Sequence, residues 1–113
     1  MGSFNTSKRR EFTKKATRKT DDGQVLELEY RPHVYTSEEQ VNFEAEFTEE
    51  GSTSKEKLVK LVEYLCKILS SANWEDNDGP IPIEPEAMMN RVSYTDLMLA
   101  FQMVAEAKGG SKA

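Results

Sequence analysis

Residues 24–30, QVLELEY, alternate between apolar and polar side chains, a pattern typical of a half-buried β-strand. The face predicted to be buried carries Leu26, Leu28 and Tyr30. Residues 21–23 (DDG) are a turn signal, so residues 10–19 could form the other strand of a hairpin, with Phe12 facing inward. Pro32 ends the strand or places it at the edge of a sheet, because proline lacks the N–H that a central strand needs.

Residues 37–47, SEEQVNFEAEF, fit two periods at once. Apolar side chains at every second position from 41 to 47 suit a strand. Phe43 and Phe47 are also four residues apart, and Ser37 could cap a helix that has two glutamates in its first turn. The cap and the acids favour a helix while the alternation favours a strand, so both structures remain open.

Two longer segments have helical periodicity. Thr53 and Glu56 form a capping-box pattern before an apolar run that reaches residue 70. The apolar face of this run carries Leu58, Leu61, Val62, Leu65, Ile68 and Leu69. Ser93 and Asp96 repeat the arrangement before a stripe made of Tyr94, Leu97, Met98, Phe101, Val104 and Ala105. The change of period at Thr53 predicts an α+β fold, with a mainly helical body and a small N-terminal strand or hairpin.

Residues 73–88, NWEDNDGPIPIEPEAM, connect the two predicted helices. The acids and the glycine predict a turn, after which prolines hold the chain extended and two isoleucines project from it. Pro85 suits the first turn of a short helix that carries two methionines. The large indole of Trp74 is expected to anchor the turn on the core. These features indicate a structural connector.

The formal net charge of −5 conceals an asymmetry. Residues 1–19 hold seven basic side chains and one acid, a net +6, so the rest of the chain carries −11. Such a segment could bind nucleic acid or an anionic membrane, or be a solvated tail beside an acidic domain. The initial MGSFNT also fits the loose N-myristoylation pattern. We expect a basic, partly disordered arm at 1–20, a single small domain at 21–108 and a flexible tail at 109–113.

The sequence contains no catalytic or metal-binding constellation. A calcium loop with Gly79 at its sixth position would place Trp74 first and Pro85 twelfth, so two ligands would be missing. One histidine and one cysteine cannot complete a tetrahedral zinc site. Cys66 falls on the apolar face of its helix, which indicates a core residue rather than a nucleophile. We therefore expect no enzyme activity, no metal and no cofactor, and a single cysteine is compatible with a reducing cytoplasm.

The stretch that begins at Trp74, W-E-D-N-D-G-P-I-P-I-E-P-E-A, precedes a Ser-capped amphipathic helix. Together they resemble the pattern W-D-x-x-D-D-x-G-x-P-x-P-x-x-x-E of small proteins from long-tailed bacteriophages, many of which are tail assembly chaperones. The resemblance covers residues 65–107, agrees only in outline upstream, and has no counterpart for residues 8–19. It implies a non-enzymatic factor in the host cell cytoplasm that binds the tape measure protein and brings tail tube protein to it.

The two predicted helices carry more apolar surface than a single two-helix contact would use, which predicts a partner groove or a homo-oligomer. Met103 is expected at the exposed edge of its stripe. The residues expected at the partner surface are Trp74, Ile81, Ile83, Met88, Met89, Met98, Phe101 and Met103. Two other functions remain open: a structural virion or interaction protein, and an adaptor that uses the basic arm. Neither nucleic acid nor a membrane is the expected partner of that arm, and base stacking has little support because the arm has few aromatic side chains.

Overall fold

The structure, a computed structural model, describes residues 2–108, so the tail expected at 109–113 lies outside it. The elements follow in the order α1 (Thr6–Glu11), β1 (Lys14–Lys19), β2 (Val25–Tyr30), α2 (Ser37–Phe47), α3 (Ser54–Ile68), β3 (Leu69–Ala72), β4 (Glu75–Asp76), β5 (Gly79–Pro80), α4 (Pro85–Arg91) and α5 (Tyr94–Lys108). This arrangement confirms the predicted α+β class.

β1 and β2 form the N-terminal hairpin that the alternating pattern predicts. They pair antiparallel along their whole length, from Lys14 opposite Tyr30 to Lys19 opposite Val25. The turn contains Gly23 at a φ of 90°, a conformation that glycine adopts without strain. The buried face of β2 consists of Leu26, Leu28 and Tyr30, as predicted.

The N-terminal segment differs from the predicted arm. β1 belongs to the sheet, so the boundary expected at residue 20 falls inside the hairpin. Phe12 precedes β1 and is 52% exposed instead of facing the core; its ring stacks on His33 with 6.3 Å between the ring centroids. The inward apolar residue of β1 is Ala16, which packs against the core. Because Ala16 is the one apolar residue of β1, the sequence shows little alternation from which to predict which side chains of this strand face the core.

A third strand follows α3 where the sequence predicts helix as far as residue 70. α3 ends at Ile68, and β3 pairs antiparallel with β2, which makes β2 the central strand of the order β1-β2-β3. Leu69 is 2% exposed in β3, so its apolar character fits a strand as well as a helix. The Ser70 hydroxyl donates to the backbone carbonyl of Glu29 at 3.2 Å, an interaction with the sheet that competes with helix continuation.

α2 is a helix, so the strand alternative is wrong. Its N-cap is Thr36 rather than Ser37. The Thr36 hydroxyl accepts the backbone N–H of Glu39 at 3.2 Å, and the Glu39 carboxylate accepts the Thr36 N–H at 2.9 Å. This capping box satisfies two backbone donors at the helix start. The apolar alternation is incidental, since Phe43 is buried whereas Val41 is 62% exposed.

α3 lies at the centre of the core. It begins at the predicted capping box of Thr53 and Glu56. Helices α2, α4 and α5 and strand β3 all contact it. Much of the apolar surplus expected at a partner surface is therefore used inside the domain. The α3 side chains with 0% exposure are Leu61, Val62, Leu65 and Ile68.

An aromatic cluster joins α2 to α3 and α5. The rings of Phe43 and Tyr64 stack with 4.3 Å between centroids, and Phe47 stacks on Phe43 at 5.4 Å. Phe101 of α5 meets the Tyr64 ring edge-on at 5.5 Å. Burial raises the pKa of Tyr64 to about 12, because ionising the phenol would place a charge among apolar rings. Edge and stacked ring contacts of this kind add to the free energy gained from burying the rings.

Candidate functional site

An open groove of about 930 Å³ lies between the tip of the β1–β2 hairpin and the first half of α5. We call it the hairpin–α5 groove. Its walls are residues 18–22 and 24–26 of the hairpin, residues 73–75 after β3, and from α5 Thr95, Asp96, Met98, Leu99 and Gln102. Apolar side chains of Val25, Trp74, Met98 and Leu99 thus stand among charged and amide groups. Protein-binding surfaces commonly combine an apolar, aromatic-rich patch with a polar margin.

α5 presents two different faces. The face buried against the domain carries Leu97, Ala100 and Val104. The face toward the groove carries Thr95, Met98, Leu99 and Gln102. These four positions follow the spacing of neighbours on one side of a helix, and Met98 and Leu99 are only partly buried. Such a ridge can pack into the surface of a second helix.

Asn73 closes the sheet at the edge of the groove. Its Nδ2 donates to the backbone carbonyl of Val25 at 3.0 Å, and its Oδ1 accepts the backbone N–H of Glu27 at 2.9 Å. The Asn73 backbone N–H donates to the Glu27 carbonyl at 3.1 Å. A side-chain amide therefore takes the place of a further strand residue opposite β2. This docking fixes the position of the next residue, Trp74, beside the groove.

An ion pair holds the turn that follows Trp74. β4 and β5 form a tight hairpin in which Asp76 lies opposite Gly79, whose φ of 111° favours glycine. Arg91 of α4 donates its Nε to Asp76 Oδ2 at 2.9 Å and its Nη2 to Asp76 Oδ1 at 2.7 Å. These charge-assisted hydrogen bonds hold the pKa of Asp76 at about 2. The backbone N–H of Ile81 donates to the Trp74 carbonyl at 3.0 Å and ties the two ends of the hairpin together.

The groove is acidic on balance. Its lining acids are Asp21, Asp22, Glu75 and Asp96, and its lining bases are Arg18 and Lys19. Arg18 is already paired with Glu106 of α5. Asp96 lies in the first turn of α5, where the helix N-terminus offsets part of its charge. The remaining acids come from two separate walls, the hairpin turn and the segment after β3, and outnumber Lys19.

The structure brings together two of the eight residues predicted for a partner surface, since Trp74 and Met98 both line the groove. Met103 is 3% exposed and not at an edge, because α5 contacts both α3 and β1 and its buried face is correspondingly wide. Ile81 and Met88 are also core residues, with 5% and 0% exposure. These three side chains cannot contact a partner without unfolding of the core.

The other three predicted residues lie apart from the groove. Ile83 and Phe101 are partly buried and pack against the core. Met89 is 37% exposed on α4 but does not line the groove. The short helix expected from Pro85 through Met89 is present as α4, and it uses Met88 for packing.

Most residues that line the groove are absent from the predicted set, and among them Val25 and Leu99 are the apolar residues that are not fully buried. Val25 is an apolar side chain on the otherwise acidic face of β2, and it is 45% exposed. Leu99 is outside the predicted stripe of α5, and its place four residues after Thr95 puts it on the face toward the groove. Both signals are visible in the sequence, but only the fold shows that the two positions face each other across one groove.

Cys66 is partly buried and lies beside a methionine of α4. The Cys66 Sγ lies 3.5 Å from the Met88 Sδ, and burial raises the pKa of the Cys66 thiol. This environment favours the protonated thiol, as expected of a core residue. Within residues 2–108, no group of three histidine, cysteine, aspartate or glutamate side chains could hold a metal ion.

None of the helices in the described part of the chain has both the length and the apolar character needed to cross a membrane. No protein-family model matches the chain, and no curated protein or solved structure matches it significantly.

Proposed function

We propose that this protein is a non-enzymatic tail assembly chaperone of a long-tailed bacteriophage and acts in the host cell cytoplasm. It binds amphipathic helical segments of the tape measure protein in the hairpin–α5 groove and brings tail tube protein to them. The resemblance of residues 65–107 to such chaperones supports the choice of partner. The observation that carries the binding mechanism is the groove itself.

Two of the groove walls, residues 73–75 and α5, belong to the part of the chain that carries the resemblance. Trp74, the first residue of the resembling stretch, lies on the groove wall. The acid cluster, the glycine and the first proline of that stretch build the β4–β5 hairpin, which Arg91 holds through Asp76. The stretch is thus a scaffold that fixes Trp74 relative to α5.

The mechanism follows from the chemistry of the groove. A long helical protein with apolar stripes aggregates when those stripes meet each other. A groove lined by Trp74, Met98 and Leu99 can bury one such stripe, in the manner of other domains that bind an amphipathic helix. Chemistry at the bound segment is not needed, because covering the stripe is sufficient to keep it soluble.

Co-expression with the tape measure protein of the same phage tests this function. We expect the soluble fraction of the tape measure protein to rise and a complex to elute from a sizing column. Met98→Glu should weaken both effects, because it places a charge on the apolar wall of the groove. Met89→Glu is the matched control, since it adds the same charge at an exposed methionine outside the groove.

A second groove variant guards against loss of folding. Thr95→Arg places a bulky side chain at an exposed groove position and leaves the core untouched. If the tape measure protein is as insoluble with the wild-type protein as without it, and no complex elutes from the sizing column, the chaperone function is contradicted. Mass spectrometry of purified particles should not detect the protein; its presence in mature particles would favour the structural virion alternative.

A further inference from the structure

We infer that the hairpin–α5 groove selects amphipathic helices that carry lysine or arginine beside their apolar stripe. This inference rests on the proposed function and specifies the chemistry of the partner segment. It commits to a helix rather than an extended strand, and to a basic rather than an acidic flank.

The pairing of β2 disfavours a strand added to β2 and favours a helix as the occupant of the groove. An added strand needs unpaired N–H and C=O groups along a sheet edge. Where β2 borders the groove, Asn73 already bonds the backbone of Val25 and Glu27. The opposite edge of β2 is paired with β1 along its whole length. An occupant of the groove therefore meets side chains and not a free backbone edge of β2.

The α5 wall has the form that a second helix requires. Its ridge from Thr95 to Gln102 spans two turns, roughly 10 Å along the helix axis. Met98 and Leu99 stand at the middle of that ridge, with Trp74 and Val25 on the other walls. A short apolar stripe on a partner helix can contact all four side chains.

The charge of the groove selects the flank of that helix. Asp21 and Asp22 at the hairpin turn and Glu75 after β3 approach the groove from two walls. Arg18 forms an ion pair with Glu106. Among the described residues that line the groove, Lys19 is the other base, and it does not take part in that ion pair. Lysine or arginine beside the apolar stripe would meet opposite charges, whereas glutamate would meet like charges.

Two synthetic peptides test this selection. Each has about 15 residues, enough for a helix of marginal stability, and both share one stripe of leucine and methionine. One carries lysine at the flanking positions and the other carries glutamate. Neither contains tryptophan, so the single tryptophan of the protein, Trp74, reports on binding through its fluorescence. Anisotropy of fluorescein-labelled peptides gives a second reading that is independent of Trp74.

We expect the lysine peptide to bind about tenfold more tightly than the glutamate peptide at low salt, since exposed ion pairs each contribute modestly. The preference should shrink as salt is raised, because the acids concerned are solvent-exposed. The triple variant Asp21→Asn, Asp22→Asn, Glu75→Gln should reduce the preference to about twofold or less. The matched control Glu49→Gln, Glu50→Gln, Glu63→Gln removes the same charge outside the groove and should keep the preference.

The outcomes separate this inference from the proposed function. Equal binding of the two peptides, tighter binding of the glutamate peptide, or a preference that the control abolishes equally would overturn the inference. The proposed function would stand in those cases if co-expression still solubilised the tape measure protein. A lysine preference without solubilisation would instead support the inference and contradict the proposed function.

Discussion

At the scale of single residues, Asn73 and Asp76 give the connector after β3 its shape. Asn73 ends the sheet by bonding the backbone of β2, and Asp76 receives two hydrogen bonds from Arg91. Trp74 lies between these two fixed points. Its position in the groove therefore depends on polar contacts on either side as well as on packing of its indole against the core.

Asp76→Asn should lower the melting temperature at neutral pH, because Arg91 loses its ionised acceptor. The pKa of Asp76 in the folded protein, about 2, lies below the ordinary value of 3.8. Its contribution to stability is therefore fully present above about pH 4 and is lost as the pH falls toward 2. The melting temperatures of the wild type and the variant, measured by circular dichroism, should converge over that range.

Asp78→Asn is the control for this prediction. The backbone N–H of Asp78 bonds to Asp76, and the Asp78 carboxylate attracts Arg91 through its charge without a hydrogen bond. Its loss should therefore lower the melting temperature less than the loss of the Asp76 carboxylate. A constant difference between wild type and Asp76→Asn from neutral to acid pH would show that the ionised pair is not the source of the stability.

At the scale of elements, the helix starts depend on single hydroxyl groups. α2 and α3 both begin with a threonine N-cap and a glutamate three residues later. The Thr53 cap is evident in the sequence although Ser52 and Ser54 flank it, because only Thr53 has a glutamate three residues later. At α2, Thr36 and Ser37 are adjacent candidates for the N-cap. Glu39 lies at the capping-box spacing of three residues from Thr36 but not from Ser37, and this spacing distinguishes them.

Thr36→Ala should therefore destabilise the protein by about 1 kcal/mol, since it removes the hydroxyl of a capping box. Ser37→Ala, one position away and exposed, should change the free energy of unfolding by less than about 0.5 kcal/mol. Urea unfolding followed by circular dichroism measures both. If Ser37→Ala lowers the free energy of unfolding more than Thr36→Ala does, Ser37 and not Thr36 is the N-cap of α2.

The elements also show where periodicity in the sequence is sufficient and where it fails. β2 and α3 follow from their periods because each has one clearly apolar face, whereas α5 follows from its Ser93 cap and the helical spacing of its predicted stripe. β3 does not, since four residues directly after a helix are too few to show a change of period. β1 is weakly predicted because lysine and arginine occupy most of its positions, and its place in the sheet is set by pairing with β2.

At the scale of the whole molecule, the candidate site depends on contacts between distant parts of the chain. Trp74 and Met98 could be proposed from the sequence because both are large apolar residues. Trp74 lies in the connector and Met98 lies in α5. Their union with Val25 and the hairpin acids requires the sheet to bring residues 21–25 beside residues 73–75. Apolar character alone also selected Met88 and Met103, which are buried, because a stripe does not reveal how many elements cover it.

Hydrogen–deuterium exchange can show whether a helical partner binds in the hairpin–α5 groove. The measurement compares the protein alone with its complex with the co-expressed tape measure protein. We expect slower exchange in the complex at residues 20–26, 73–75 and 95–102, and little change in α2 and the first turns of α3. Protection confined to α2 and α3, with no change in the three groove segments, would contradict binding in the groove.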